Sequence, residues 1–172
     1  MRPIDDPAPA LATTEEPGRR PAPGGHATPG HAGTPANGVS RTTHPVNSEE
    51  DLLAARHAVR AATLETGLSL VDQTRVVTAA SELVRNAYIH GGGGTLTLEL
   101  IQQADRRGLR LTVTDHGPGI SDLDAAFTDG YTTGAGLGHG LGGARRLMDE
   151  FHVETAEGQG TTIIATRWKR QV

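Results

Sequence analysis

The chain contains no cysteine, and aromatic residues make up only 3% of its 172 residues. Without thiols it can form neither a disulfide framework nor a thiolate metal site, and such a composition is typical of a reducing cytoplasm. No run approaches the ~20 apolar residues that a membrane span needs, and the N-terminus lacks an apolar signal core. We therefore expect a cytoplasmic protein that makes no membrane contact.

An excess of positive charge is missing as well, because the formal net charge is -4. A nucleic-acid surface needs a basic face and aromatic rings that stack on bases. This sequence offers neither, and we expect no nucleic-acid partner.

Proline is nearly absent beyond residue 45, and this absence divides the chain. Nine of the ten prolines lie within residues 1–45, among many Gly, Ala and Thr and hardly any large apolar side chain. Such a segment cannot bury enough apolar surface to offset its ordering entropy. We predict a disordered tail over residues 1–46 and one ordered domain over residues 47–172.

Apolar periodicity predicts the elements of this domain. Ser48 suits the N-cap of a first helix that ends near Gly67, and a second helix runs from about Asp72 to Ile89. Alternating apolar residues then predict strands over 96–101, 109–115, 151–153 and 161–168, with short helices ending near residues 127 and 148. Strands with one apolar face each need helices on one side only, so we predict an α+β two-layer sandwich.

The strand over 109–115 leads into an acid, two glycines and a proline. Its period of two places Asp115 on the buried face, where a carboxylate without donors costs about 1–3 kcal/mol or more. Gly117 and Gly119 leave room for a flat ligand, and Pro118 stiffens the bend between them. Two interpretations stay open, the floor of a ligand pocket or a plain Asp-Gly turn with a capped acid.

Glu82 and Asn86 lie four residues apart on the second helix, so they share one side of it beside the apolar stripe. They form either part of a site or an ordinary polar flank. Further along, glycine occupies positions 130, 134, 136, 138 and 140. A core does not need such a cluster, whereas it lets backbone N–H groups approach an anion at the start of the following helix. The cluster predicts a phosphate site.

Four motifs follow one another in a fixed order: Glu82-x-x-x-Asn86, Asp115-x-Gly-x-Gly119, Gly134-x-Gly-Leu-Gly-x-Gly140 and Gly158-x-Gly-Thr161. Together they resemble the four boxes of the gyrase, histidine kinase and MutL ATPase superfamily (GHKL, the Bergerat fold). Residues 129–141, 146–151 and 155–161 are most similar to the small bacterial serine kinases of the anti-sigma-factor group, above all the stressosome switch kinases. The resemblance implies helices on one face of a mixed, mostly antiparallel sheet.

This resemblance also implies a site for ATP and Mg²⁺. The acid at Asp115 would accept a hydrogen bond from the adenine amino group, and Thr161 would hold the same part of the base through a shared water. Asn86 would ligate Mg²⁺ through its amide oxygen, and Glu82 would be the general base. The other implied nucleotide contacts are Gly117, Gly119, Thr132, Thr133, Gly134, Gly136, Leu137, Gly138, His139, Gly140 and Leu141.

Two functions fit this family resemblance. The first is a serine kinase that phosphorylates a small antagonist protein of the STAS type and, once released, activates a downstream phosphatase by binding it. The second is an anti-sigma factor that sequesters an RNA polymerase sigma subunit in a nucleotide-dependent way. Two segments favour the switch kinase, Tyr131-Thr-Thr in the glycine-rich loop and the run Leu147-Met-Asp-Glu. The sequence leaves open whether the chain forms a homodimer.

Overall fold

A computed structural model describes residues 40–128 and 140–170. Along the chain these residues form β1 (Arg41–Val46), α1 (Glu49–Thr66), α2 (Leu70–Ile89), β2 (Gly94–Gln103), β3 (Arg106–Asp115), α3 (Leu123–Phe127), α4 (Gly140–Leu147), β4 (Glu150–Ala156) and β5 (Gly160–Trp168). No helix in these two ranges is long and apolar enough to cross a membrane.

The strands form one sheet in the order β1-β2-β3-β5-β4. Every pairing between described strands is antiparallel, so the sheet is not mixed as the resemblance implied. β2 and β3, like β4 and β5, are joined by short turns, which only antiparallel neighbours allow. The predicted α+β class is confirmed.

The two faces of the sheet differ in polarity. Residues directly opposite each other on paired strands share a face. The face beneath the helices is apolar and buried, and it carries Leu96, Leu98, Leu109, Leu111, Val113, Ile163 and Ala165. On the other face threonines meet across strands, and the hydroxyls of Thr114 and Thr162 lie 3.2 Å apart. The core of the domain therefore lies between the helices and one side of the sheet.

The long helices begin and end where local chemistry places their caps. Ser48 caps α1 and Gly67 closes it in the left-handed region at φ 74°, as predicted. α2 begins at Leu70, two residues before the predicted start at Asp72, because Ser69 is its N-cap.

The boundary predicted at residue 46 is wrong for residues 41–46, because they form strand β1. This strand pairs with β2 from Arg41 opposite Glu99 to Val46 opposite Gly94, and Val46 is fully buried. Pro45 is tolerated because β1 is an edge strand of the sheet, where a missing N–H need not break a ladder. The disordered tail stays a prediction for residues 1–39, which lie outside the described residues.

Two truncated chains test the corrected boundary. A chain that starts at Ser40 should melt within about 2 °C of the full chain, because the prolines before it lie in a segment with little apolar surface to bury. A chain that starts at Asn47 should melt more than about 5 °C lower, because it loses the β1 pairing and buried Val46. Calorimetry measures both temperatures, and equal melting of the two chains would show that β1 adds nothing to the domain.

A buried ion pair joins α2 to β5 at the far end of the sheet from Asp115. Arg167 Nη2 donates to Asp72 Oδ1 at 2.5 Å, and both side chains are only 4% exposed. Asp72 also accepts a hydrogen bond from Ser69 Oγ at 2.8 Å. Burial alone would raise the pKa of Asp72, but the hydrogen bonds and the guanidinium charge outweigh it and hold that pKa below its usual value.

This pKa shift makes the stability depend on pH. Because the pKa of Asp72 is lower in the folded chain than in the unfolded chain, its contribution is complete above about pH 4 and is lost as the pH falls through the folded pKa. Asp72→Asn should lower the free energy of unfolding at pH 7 by roughly 3 kcal/mol, since it removes one partner of a buried pair. It should also weaken the pH dependence below pH 4.

Urea unfolding at pH 7, 4 and 3 measures both effects, with Glu157→Gln on the exposed hairpin as the matched loss of one carboxylate. The same pH dependence in Asp72→Asn and in the control would show that the ion pair is not the acid-sensitive group.

Candidate functional site

The end of β3 and the end of α2 meet through two glycines. A Cβ atom added at Gly91 would overlap the Asp115 side chain, and one added at Gly117 would lie 2.6 Å from Gly91 Cα. A larger residue at either position would force the two segments apart. This close approach brings the predicted acid next to the helix that carries the predicted base and amide.

The Asp115 carboxylate is half-buried, and its own loop satisfies it in part. The N–H of Gly117 donates to Oδ1 at 2.9 Å. No other described residue donates a hydrogen bond to this carboxylate. The Asp-Gly turn is therefore present, and it leaves an oxygen able to accept a hydrogen bond from a ligand. The turn interpretation is confirmed, and the ligand pocket stays a prediction.

Thr161 lies directly opposite Asp115 on β5 and is buried. Its hydroxyl is 3.1 Å from that of Thr155 on β4. Thr155 Oγ1 in turn accepts from the N–H of Ile120 at 2.9 Å and donates to the Gly160 carbonyl at 3.0 Å. These hydroxyls tie the loop after β3 to the β4–β5 hairpin. Thr155 was not among the predicted site residues, although its position opposite Thr161 across a tight hairpin was a signal for it.

The loop after β3 also rests against this hairpin through its backbone. Gly158 N–H donates to the Pro118 carbonyl at 2.8 Å, and a Cβ added at Gly119 would overlap the Ala156 carbonyl. The close packing of these protein segments by itself explains why positions 117 and 119 are glycine, without any ligand. Their contact with a nucleotide stays a prediction.

Glu82 and Asn86 lie one turn apart on α2, and both are half-buried beside the fully packed Leu83 and Ala87. No described residue pairs with the Glu82 carboxylate or hydrogen-bonds to the Asn86 side chain. The structure places both on α2, the helix that the sequence predicted for them, and the end of α2 meets Asp115. As far as the described part of the chain goes, the acid and the amide are both available to a ligand.

The protein offers few ligands for a cation at this site, which suits an ion that is also held by phosphates and water. Within the described ranges no group of three His, Cys, Asp or Glu side chains could hold a metal ion. Asn86 supplies one hard oxygen donor, and a Mg²⁺ ion here would take its remaining ligands from phosphates and water. The chemistry of the site therefore fits Mg²⁺ bound together with ATP.

Only the last part of the predicted phosphate loop is described. α4 begins at Gly140, and Leu141 is buried in the core. A Cβ at Gly142 would overlap the Phe127 carbonyl, so glycine lets α4 pack closely on α3. The predicted contacts Thr132, Thr133, Gly134, Gly136, Leu137, Gly138 and His139 lie outside the described residues.

A family described as "Histidine kinase-, DNA gyrase B-, and HSP90-like ATPase" matches residues 71–171, which is more than half of the chain. The chain belongs to this ATPase family. The match covers α2, the loop after β3 and the β4–β5 hairpin, the segments that meet around Asp115.

Individual relatives narrow this assignment. The serine/threonine-protein kinase RsbT of Bacillus subtilis (strain 168) is 42% identical over 125 residues, which are 73% of this chain and 94% of that protein. The anti-sigma F factor of Clostridium novyi (strain NT) is 35% identical over 117 residues, 64% of this chain and 80% of that one. The predicted superfamily is confirmed, and so is the predicted class of enzyme, a serine/threonine-protein kinase.

A solved structure supports the fold. The crystal structure of the RsbU and RsbW domains of Rv1364c from Mycobacterium tuberculosis matches with a TM-score of 0.53 and 24% sequence identity. The match covers 78% of this chain and 33% of the other chain, so it spans about a third of that protein.

The remaining acceptor of Asp115 gives a direct test of the pocket. Asp115→Asn keeps the shape but replaces one carboxylate oxygen by an N–H donor, which cannot accept from an adenine amino group. ATP affinity should fall at least tenfold, or about 1.4 kcal/mol. Calorimetric titration with Mg²⁺ and ATP measures it, and Asp124→Asn on exposed α3 is the control for the lost charge. Unchanged ATP affinity in Asp115→Asn would show that ATP does not bind at this end of the sheet.

Proposed function

We propose that the chain is an ATP-dependent kinase that phosphorylates a serine of a small antagonist protein and then binds a downstream regulator, and that it acts in the cytoplasm. The observation that carries this proposal is the Glu82 carboxylate beside the Asn86 amide, on the helix that ends at Asp115; neither group is paired with any of residues 40–128 or 140–170. The identity with a serine/threonine-protein kinase supports it.

The length of α2 separates two tasks. Asp115 lies beside the end of the helix, where its remaining acceptor would bind the adenine amino group. Ile89, the last residue of α2, is seven positions beyond Glu82, which is about 10 Å along the helix. This spacing leaves room for the ribose and the first phosphates between the base-binding end and the acid.

Glu82 suits the role of the general base. Its carboxylate is half-exposed and forms no ion pair with a described residue, so accepting a proton breaks no existing interaction. It would take the proton of the attacking serine hydroxyl as the oxygen forms its bond to phosphorus.

Asn86 suits the role of the metal ligand. Its amide oxygen is a hard donor one turn from Glu82, and it would hold Mg²⁺ without adding negative charge next to the phosphates. When bound, the ion neutralises charge on the transferred phosphoryl group.

The likeness to an anti-sigma factor supports a second candidate function. Such a protein would use the same nucleotide site to control the sequestration of a sigma subunit. It differs from the first candidate in its partner and in how far it depends on Glu82.

Glu82→Gln tests the proposed function. The substitution keeps the size of the side chain but removes the base, so single-turnover phosphate transfer should fall by about 10²-fold or more. The ATP affinity should stay within about twofold, whereas Asn86→Ala should weaken the Mg²⁺-dependent part of that affinity. The measurement is transfer of labelled phosphate from ATP to a purified antagonist protein, with Glu157→Gln as the matched control.

Equal transfer rates for the wild type and Glu82→Gln would exclude Glu82 from the chemistry. If the wild type transfers no phosphate but binds a purified sigma subunit only with nucleotide, the chain is an anti-sigma factor instead.

A further inference from the structure

A second surface lies at the end of the sheet remote from Asp115. We define the corner patch as Leu64, Leu70, Val71, Lys169 and Arg170. Lys169 directly follows β5, whose last residue pairs with Gly108 on β3. Asp115 lies seven residues further along β3, roughly 23 Å away in a strand. Nothing bound at Asp115 therefore accounts for the composition of this patch.

The apolar part of the corner patch surrounds the turn between α1 and α2. Leu64 is 58% exposed, Leu70 73% and Val71 61%. A single exposed leucine is ordinary, but three large apolar side chains within eight residues form a patch of the kind that contacts another molecule.

Two basic residues lie beside the same turn. Lys169 Nζ lies 3.3 Å from the position that a Cβ would take on Gly67, so its ammonium group reaches the residue that ends α1. Arg170 is close enough to Asp72 for its charge to lower the pKa of that acid. The described residues offer neither cation an ion pair, and Asp72 is already bound to Arg167. Exposed Glu65 lies at the margin of the patch.

The exposed side of α1 extends this positive charge. Arg56 and Arg60 are exposed and four residues apart, and no acid stands three or four residues from either. Like charges at this spacing weaken a helix. The arginines therefore do not serve the stability of α1, and they lie on the approach to Leu64.

We propose that the corner patch docks an acidic amphipathic helix of a partner protein. Its apolar side chains would cover Leu64, Leu70 and Val71, and its carboxylates would meet Lys169 and Arg170. The identity of this partner rests on the proposed function: it is the downstream regulator. The serine of the antagonist would be phosphorylated at the other end of the sheet.

Other occupants fit the patch less well. The longest proline-free stretch within residues 1–39 is residues 10–16, and seven residues make less than two turns of helix. A second copy that used the same patch would bring Lys169 and Arg170 against their own equivalents. A partner with carboxylates beside leucines avoids both conflicts.

A synthetic peptide tests this chemistry. The probe is a fluorescein-labelled 18-residue helical peptide with leucines on one face and glutamates beside them, titrated with the full chain and followed by anisotropy. The peptide should bind saturably and more weakly in high salt. The double variant Lys169→Glu with Arg170→Glu should bind it at least tenfold more weakly, and so should Leu64→Ser with Leu70→Ser. Ile89→Ser, which changes an exposed apolar residue at the other end of α2, should bind it normally.

Several outcomes would overturn the proposal. These are equal affinity in the corner variants, equal binding of a peptide with lysine in place of glutamate, or much tighter binding by a chain that starts at Ser40, which would make the tail the occupant. A dimer that the charge reversal dissociates, or cosedimentation with phosphatidylglycerol vesicles that it abolishes, would assign the patch to a second copy or to lipid.

Circular dichroism should show that each corner variant folds. Their single-turnover phosphate transfer should stay within about twofold of wild type. The peptide experiment therefore tests the docking surface, and the Glu82→Gln experiment tests the proposed function, so that either can fail without the other.

Discussion

The site depends on one close approach, the contact between the backbone at the end of α2 and the side chain at the end of β3. Gly91 lies so near Asp115 that a single added carbon would overlap the carboxylate group. The loop after β3 closes the same contact from the other side with Gly117. Asp115 is therefore half-buried at the edge of the helix layer. After it accepts the hydrogen bond from Gly117, it can still accept one from a ligand.

α2 is held at both ends, and this fixes the residues between them. At its start the buried pair of Asp72 and Arg167 ties it to β5, and at its end the glycine contact ties it to β3. Glu82 and Asn86 lie between these two anchors, next to a fully packed stripe. A base and a metal ligand need such fixed positions, because catalysis falls steeply when a reacting group is misplaced.

Periodicity and capping chemistry predicted most of the fold, because they act within a few residues. Ser48 and Gly67 mark the ends of α1 through their own hydrogen bonds and backbone angle. β1 was missed because an edge strand with Pro45 needs only one buried apolar residue, and its stability comes from pairing with β2, some fifty residues away in sequence. Gly91 was missed for a similar reason, since the side chain that requires a glycine there belongs to another element. Contacts between residues that are distant in sequence produce no pattern in the residues next to them, so they are hard to predict from the sequence.

The central claim is that ATP binds where α2, the loop after β3 and the β4–β5 hairpin meet. Backbone amide chemical shifts of the full chain, recorded as Mg²⁺ and ATP are added, test this most directly. The account predicts the largest changes among the described residues at Gly91, Gly117 and Thr161, and little change at Gly67 and Lys169 at the opposite end of the sheet. Large shifts at Gly67 and Lys169 with none around Asp115 would contradict it.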